Sequence, residues 1–253
     1  MSKSRKKTQA DANSTTEARP STPPASPRGI TGDDKAGPSK QVATTEEAEG
    51  ELWAPPAVAI PERPLQQAVK RAFDIGFSVA CLAAGWPVLA AAAVAIKLDS
   101  PGPVFYKQVR VGQFGRPFHI YKFRSMVTDA ERDGPRWARN FDNRVTRVGG
   151  LLRRSSVDEL PQIWNVLKGD MSWIGPRPER PVFVARFRQQ FDDYDTRHAV
   201  RPGLSGWAQV NGLRGNVSIA ERTRFDVDYV RKFSLLLDVQ CFLKTFSAVM
   251  AGE

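Results

Sequence analysis

Two adjacent carboxylates, Asp158 and Glu159, stand behind two arginines, Arg153 and Arg154, at the head of the segment VDELPQIWNVLKGD. A carboxylate can attack phosphorus or hold a magnesium ion, and arginine forks grip phosphate oxygens two at a time. The loop Trp173-Ile174-Gly175-Pro176-Arg177-Pro178-Glu179 follows, stiffened by prolines and presenting another guanidinium. A diphosphate fits such surroundings, with the two acids dividing nucleophilic attack and metal binding between them. The plainer reading is structural. Ser156 and Glu159 have the spacing of a capping box, and acids in a first helical turn suit the helix dipole.

The elements that must position these groups are legible in outline. Leu160, Ile163, Trp164 and Leu167 recur at i, i+3, i+4, i+7, so the spacing predicts a short amphipathic helix ended by Gly169. Pro161 is tolerated only in a first turn, which starts the helix near Val157 or Asp158. Upstream, SPGPVFYKQVRVGQFGRPFHIYKFRSM alternates apolar and polar residues around Gly112 and Gly115 and predicts a hairpin. Lys107, Arg110, Lys122 and Arg124 then share a small surface, either a phosphate site or a solvated basic face. His119 reads as a strand surface residue. Arg201 opens RPGLSGWAQVNGLRG, either a binding loop or a connection whose glycines serve turn geometry.

From Ile75 to Ile96 run 22 residues without a formal charge, a membrane-spanning length, interrupted by Gly85-Trp86-Pro87. Proline removes a helical hydrogen bond, so a break or kink is expected at Pro87. The residues alone leave open a kinked span, a re-entrant hairpin with both ends on one side, and a buried core helix. Leu235 to Met250 is apolar at largely helical spacing and suits either the core or a bilayer surface.

Lys+Arg 37 against Asp+Glu 27 gives a formal charge of +10 in 253 residues, with 41% hydrophobic residues. An anionic partner is expected. Two cysteines and two histidines exclude a disulfide scaffold and a structural zinc site. Residues 1–60, rich in Ser, Thr, Pro, Ala and Gly, are expected to be a disordered tail. The basic start MSKSRKKTQA lacks a following apolar stretch, so no cleaved secretory signal is expected. Its cations either lie in solvent or meet anionic headgroups. A nucleic-acid binder would explain the charge, but no clustered basic recognition helix is present.

With KRAFDI (70–75), SPGPVFYKQVRVG (100–112), YKFRSM (121–126), the block from Asn143 to Glu179 and RPGLSGWAQVNG (201–212) in order, the chain closely resembles the bacterial sugar transferase family. These are the monotopic polyprenyl-phosphate phosphoglycosyl transferases that begin exopolysaccharide and O-antigen repeat units. The resemblance runs from about Lys70 to Glu253. It implies transfer of a hexose 1-phosphate from a UDP-sugar to undecaprenyl phosphate with release of UMP, glucose favoured and galactose next. By resemblance Asp158 is the nucleophile that forms an aspartyl phosphosugar intermediate, and Glu159 is its partner, which binds Mg²⁺. Lys122, Arg124, Arg153, Arg177, Pro178 and Arg201 are the implied substrate-binding residues.

The implied fold is α+β and membrane-associated: a re-entrant helix–break–helix over 66–98 with its break at Pro87, then a small, mainly helical cytosolic domain over 99–253 with a short β-hairpin and C-terminal interfacial helices. Many relatives carry Ser-Pro where this chain has Trp86-Pro87. The implied location is the cytoplasmic face of the bacterial inner membrane, in the short catalytic-core form. A homodimer and contacts with other assembly enzymes stay open, and no nucleic acid is implied. The competing class is a non-catalytic membrane scaffold of polysaccharide assembly, which predicts loss of the dyad or its cations.

Overall fold

Pro64 occupies the first position of helix α1 (Pro64–Asp99), where its missing N–H removes no helical bond. The computed structural model describes residues 63–132, 134, 142–215 and 217–251, all within one compact unit. The tail expected over 1–60 lies outside the described residues. α1 has 36 residues, about 54 Å at 1.5 Å per residue, and is long and apolar enough to cross a membrane. The break expected at Pro87 is not a break in the helix: helical backbone continues through it, from Pro64 rather than 66 to Asp99 rather than 98. Proline forfeits one bond of the ladder, and the flanking turns keep theirs.

Both halves of α1 touch the same folded unit. In the first half Lys70 Nζ donates to the carbonyl of Ile174 (2.9 Å) and to Asp238 (2.7 Å), while Arg71 donates to the carbonyls of Val166 (2.5 Å) and Leu167 (2.7 Å). Buried Asp74 accepts from the Ser172 hydroxyl and the Trp173 N–H, both at 3.1 Å, and the Trp173 indole donates to Ser78 (2.9 Å). In the second half Ala92 and Ile96 pack with Phe123 and Leu152. Between the two, Val79, Trp86 and Val88 are exposed.

Strands β1 (Phe105–Val111) and β2 (Pro117–Phe123) form the antiparallel hairpin, with Tyr106 opposite Lys122 and Phe105 stacked on Phe123. Helices α2 (Arg147–Arg154), α3 (Ile163–Lys168) and α4 (Pro181–Arg188) are short. A second sheet pairs β3 (Ser172–Ile174) in parallel with β4 (Gly203–Ser205), a pairing the sequence does not announce. Helices α5 (Trp207–Val210), α6 (Ile219–Arg231) and α7 (Leu235–Ala251) complete the chain. Ile174, Tyr229, Val230, Phe233 and Cys241 form the core between the second sheet and these helices. Each fully buried side chain of this size contributes about 2 kcal/mol on transfer from water. α7 leaves Leu236, Val239, Leu243 and Phe246 exposed along one stripe, as an interfacial helix does.

Candidate active site

The dyad sits on a 3₁₀ turn, Val157–Gln162, not on the first turn of an α-helix. Thr146 caps α2 by accepting the Gly149 N–H (3.0 Å), and the chain leaves α2 through Ser155 and Ser156. Ser156 adopts the left-handed conformation at φ 56°. The expected capping box therefore does not form. The main-chain oxygen of Ser156, not its hydroxyl, accepts the Glu159 N–H (3.1 Å), and the Glu159 carboxylate turns elsewhere. A 3₁₀ turn sets consecutive side chains about 120° apart, so the two adjacent acids point into different surroundings.

The same turn shifts the phase of α3. Ile163 is buried as the periodicity predicts, but Trp164 is 54% exposed and Asn165 and Val166 are buried in its place. Asn165 joins α3 to β2: its amide donates to the His119 carbonyl (2.7 Å), and its oxygen accepts the Tyr121 N–H (3.1 Å). That holds the neighbouring Lys122 in register with the dyad. Gly169 ends α3 in the left-handed conformation, as expected.

Glu159 is the hub. Lys122 Nζ donates to its Oε1 (2.7 Å), and Arg177 grips it with Nη1 on Oε2 (3.1 Å) and Nη2 on Oε1. Burial alone would raise the Glu159 pKa; the charges and hydrogen bonds of Arg177 and Lys122 overcome it and hold the group well below the usual carboxylate range. The same pairing raises the pKa of Arg177, against burial. Asp158 differs. It is 9% exposed, and its carboxylate makes no hydrogen bond among the described residues. Burial pushes its pKa up to about 6, opposed by the charge of Lys122 and assisted by that of Glu159. One carboxylate is thus locked between two cations and its neighbour is left uncommitted.

Arg177 is fixed from behind. Gly175, Gly203 and Gly206 bring backbone against backbone: a Cβ on Gly203 would lie 2.2 Å from the Gly175 nitrogen, and one on Gly206 2.2 Å from the Gly175 oxygen. The segment RPGLSGWAQVNG is therefore chiefly the strand and turn that brace the Arg177 loop. Gln209 and Asn211 donate to the carbonyls of Leu204 and Trp207 within the segment itself. Arg197 donates to the Arg177 carbonyl (2.8 Å) and to Asp226 (2.6 Å), both side chains buried. Arg222 holds Glu179 (2.6 Å), and Arg110 donates to the Pro178 carbonyl (2.9 Å). Burial pushes the Arg110 guanidinium down to about 10, against the charge of Glu179. Of the three bracing arginines, Arg110, Arg197 and Arg222, the sequence reading reached only Arg110, as one of a basic set.

The structure gathers Asp158, Glu159, Lys122 and Arg177, with the charge of Arg153 also felt at Asp158. Pro178 is buried and holds Arg110 through its carbonyl. Two expected substrate ligands have other work. The guanidinium of Arg124 is buried and donates to the carbonyls of Pro101 and Ser100 (both 2.7 Å) and the Ser100 hydroxyl (2.9 Å), tying off the end of α1. Arg201 donates to the Gly169 carbonyl (3.1 Å) at the end of α3.

No group of three or more metal-ligating side chains forms among the described residues. Glu159 nevertheless fits Mg²⁺ of the kind bound through one or two carboxylates plus substrate phosphates. Its Oε2 carries one hydrogen bond and has a lone pair left.

The profile of the bacterial sugar transferase family matches residues 65–252. A UDP-N-acetylgalactosamine-undecaprenyl-phosphate N-acetylgalactosaminephosphotransferase of Aeromonas hydrophila is 47% identical over 75% of this chain and 45% of its own length. A UDP-glucose:undecaprenyl-phosphate glucose-1-phosphate transferase of Xanthomonas campestris pv. campestris is 45% identical over 66% of this chain and 36% of its own. One of the same description from Caulobacter vibrioides is 41% identical over 86% of this chain and 79% of its own. The chain thus matches less than half the length of the first two.

Proposed function

Because the chain belongs to the bacterial sugar transferase family, we propose that it transfers a sugar 1-phosphate from a UDP-sugar to undecaprenyl phosphate at the membrane, through a covalent intermediate on Asp158. One observation carries the chemistry: a buried carboxylate without hydrogen bonds beside a second carboxylate held by Lys122 and Arg177. An Asp158 oxygen attacks the phosphorus that bears the sugar. The phosphorus–oxygen bond to the nucleotide breaks, and UMP leaves with the electron pair. An oxygen of the lipid phosphate then attacks the same phosphorus, the bond to Asp158 breaks, and the carboxylate returns. With a pKa of about 6, Asp158 is ionised at neutral pH yet stripped of the hydrogen bonds that would blunt a nucleophile. Lys122, Arg177 and Arg153 offset the negative charge of an incoming diphosphate.

Mg²⁺ would be held by Glu159 together with diphosphate oxygens and water, and would supply neutralisation of the diphosphate charge when bound. Glucose is the proposed sugar, in line with relatives named for glucose transfer. N-acetylgalactosamine is the second reading, favoured by the 47% identical relative named for that sugar. For topology we favour the re-entrant arrangement on the cytoplasmic face of the inner membrane. Both halves of α1 pack on one folded unit while its middle is exposed, which supports placing the two ends on one side of the bilayer although the helix is continuous at Pro87.

The test is UMP release by the full chain in nanodiscs with undecaprenyl phosphate, comparing UDP-glucose, UDP-galactose and UDP-N-acetylgalactosamine, with Mg²⁺ present or chelated and beside Asp158→Asn. Lipid-dependent UMP from one donor, abolished by chelation and by the substitution, is expected. No UMP from any donor, in a protein that is folded and inserted, overturns the reading.

A further inference from the structure

We propose that the outward arc of α2, formed by Arg147, Leu151 and Arg154, is where the lipid-borne phosphate acceptor lands before it reaches Asp158. The proposal rests on the transfer reaction above and assigns a site for its second substrate. α2 buries Gly149 and Leu152 and turns the opposite side outward. At 100° per residue, Arg147 and Arg154 fall within about 20° of each other. Leu151 lies beside them and is 64% exposed. Arg153 lies around the helix from Arg154, and its charge acts on Asp158.

The cations of this helix are uncommitted, as are Lys97, Arg116, Arg132, Arg186, Arg214 and Arg224 elsewhere among the described residues. Among the described residues none of the guanidinium groups of Arg147, Arg153 and Arg154 makes a hydrogen bond or ion pair. Arg110, Arg124, Arg177, Arg180, Arg197 and Arg222, by contrast, are all engaged. Among the described residues no carboxylate forms an ion pair with Arg147 or Arg154. Asp99 accepts the Val148 N–H (3.0 Å) at the start of α2 and thereby joins that helix to the end of α1. The end of α1 to which α2 is thus joined also exposes apolar side chains, Val94 and Leu98. Cations interleaved with exposed aliphatic side chains match a phosphate monoester carrying a hydrocarbon chain. A UDP-sugar has no hydrocarbon to set against Leu151. Gly149 fixes the placement, since a Cβ there would lie 2.1 Å from the Ser125 carbonyl oxygen, and α2 has one seat against the hairpin strand's continuation.

The experiment separates the two half-reactions in the full-length chain carrying Arg147→Gln with Arg154→Gln, and separately Leu151→Gln, in nanodiscs of neutral phosphatidylcholine. UMP formed in the first turnover without acceptor reports the donor step, and steady-state turnover against undecaprenyl phosphate reports acceptor use. The double variant is expected to raise the acceptor KM about ten- to a hundredfold, the loss of one or two charge-assisted contacts, with the UDP-sugar KM and the first-turnover UMP unchanged. Leu151→Gln is expected to shift the acceptor KM in the same direction. Direct retention of farnesyl phosphate by the wild-type chain, reduced in the double variant, gives a readout independent of turnover.

An unchanged acceptor KM, or loss of the first-turnover UMP in the double variant, overturns the proposal. So does a defect seen only when anionic lipid is added to the discs, which assigns the arc to bilayer headgroups. A wild-type chain that binds farnesyl phosphate through these arginines but releases no UMP contradicts the transfer reaction while leaving the site standing.

Discussion

Replacing Asp158 by asparagine should stabilise the protein as it destroys the activity. Asparagine keeps the shape of the protonated acid and removes the charge that burial opposes. The carboxyl titrates near 3.8 in an unstructured chain and at about 6 in the fold, burial being the main cause. Two pKa units at 1.36 kcal/mol each make the ionised group oppose folding by about 3 kcal/mol. Because the folded value is the higher one, the penalty is absent below pH about 4, where the acid is protonated in both states. It grows between pH 4 and 6 and is complete above that. The amide of the variant has no such dependence. For a folded part near 190 residues, 3 kcal/mol corresponds to a midpoint rise of roughly 6–12 °C at pH 7.5, shrinking toward zero at pH 4. Thermal scans of both chains at matched rates in the same nanodiscs provide the assay, with UMP release measured alongside. A variant less stable than wild type at pH 7.5, or a gain that does not change with pH, would refute the reasoning that burial without hydrogen bonds sets the nucleophile.

Two further substitutions probe the frame around that group. Lys122→Gln removes the largest attraction holding the Asp158 pKa down, so the acid limb of first-turnover UMP formation should move above pH 6, and a pH–rate profile with an unmoved limb would count against it. Gly203→Ala places a methyl group 2.2 Å from the Gly175 nitrogen, where only backbone can yield, and should cost about 3 kcal/mol or more together with activity. A midpoint within about 2 °C of wild type would show that the second sheet is looser than its packing implies.

The dyad and the hairpin were legible because their signals are local. Pro161 restricts where a helix can start, Gly112 and Gly115 punctuate two alternating runs, and Gly169 closes α3. The capping box was a sound local inference that lost to distant partners: Lys122 and Arg177, 37 and 18 residues away, outcompete Ser156 for the Glu159 carboxylate. Arg124 and Arg201 read as ligands because a cation in a basic segment looks the same whether it faces a phosphate or a main-chain carbonyl.

The bracing layer was least visible. Arg222 and Asp226 lie on the buried side of α6, and hydrophobic patterning assigns charged residues outward unless their partners are known. Those partners, Glu179 and Arg197, come from segments 43 and 29 residues away. The pairing of β3 with β4 was hidden for a related reason, since three-residue strands are too short to show an alternation.

The first turns of α1 give the anchor a second meaning. Lys70, Arg71 and Asp74 occupy the main-chain groups of Ile174, Val166, Leu167 and Trp173, which lie just before the Arg177 loop and at the end of the helix that follows the dyad. An attempt to make a water-soluble enzyme by cutting away the apolar helix would take the jig along with the tether. The same bonds restrict how such a chain can change over time. A version of this chain that left the membrane would need a new support for the reacting groups first.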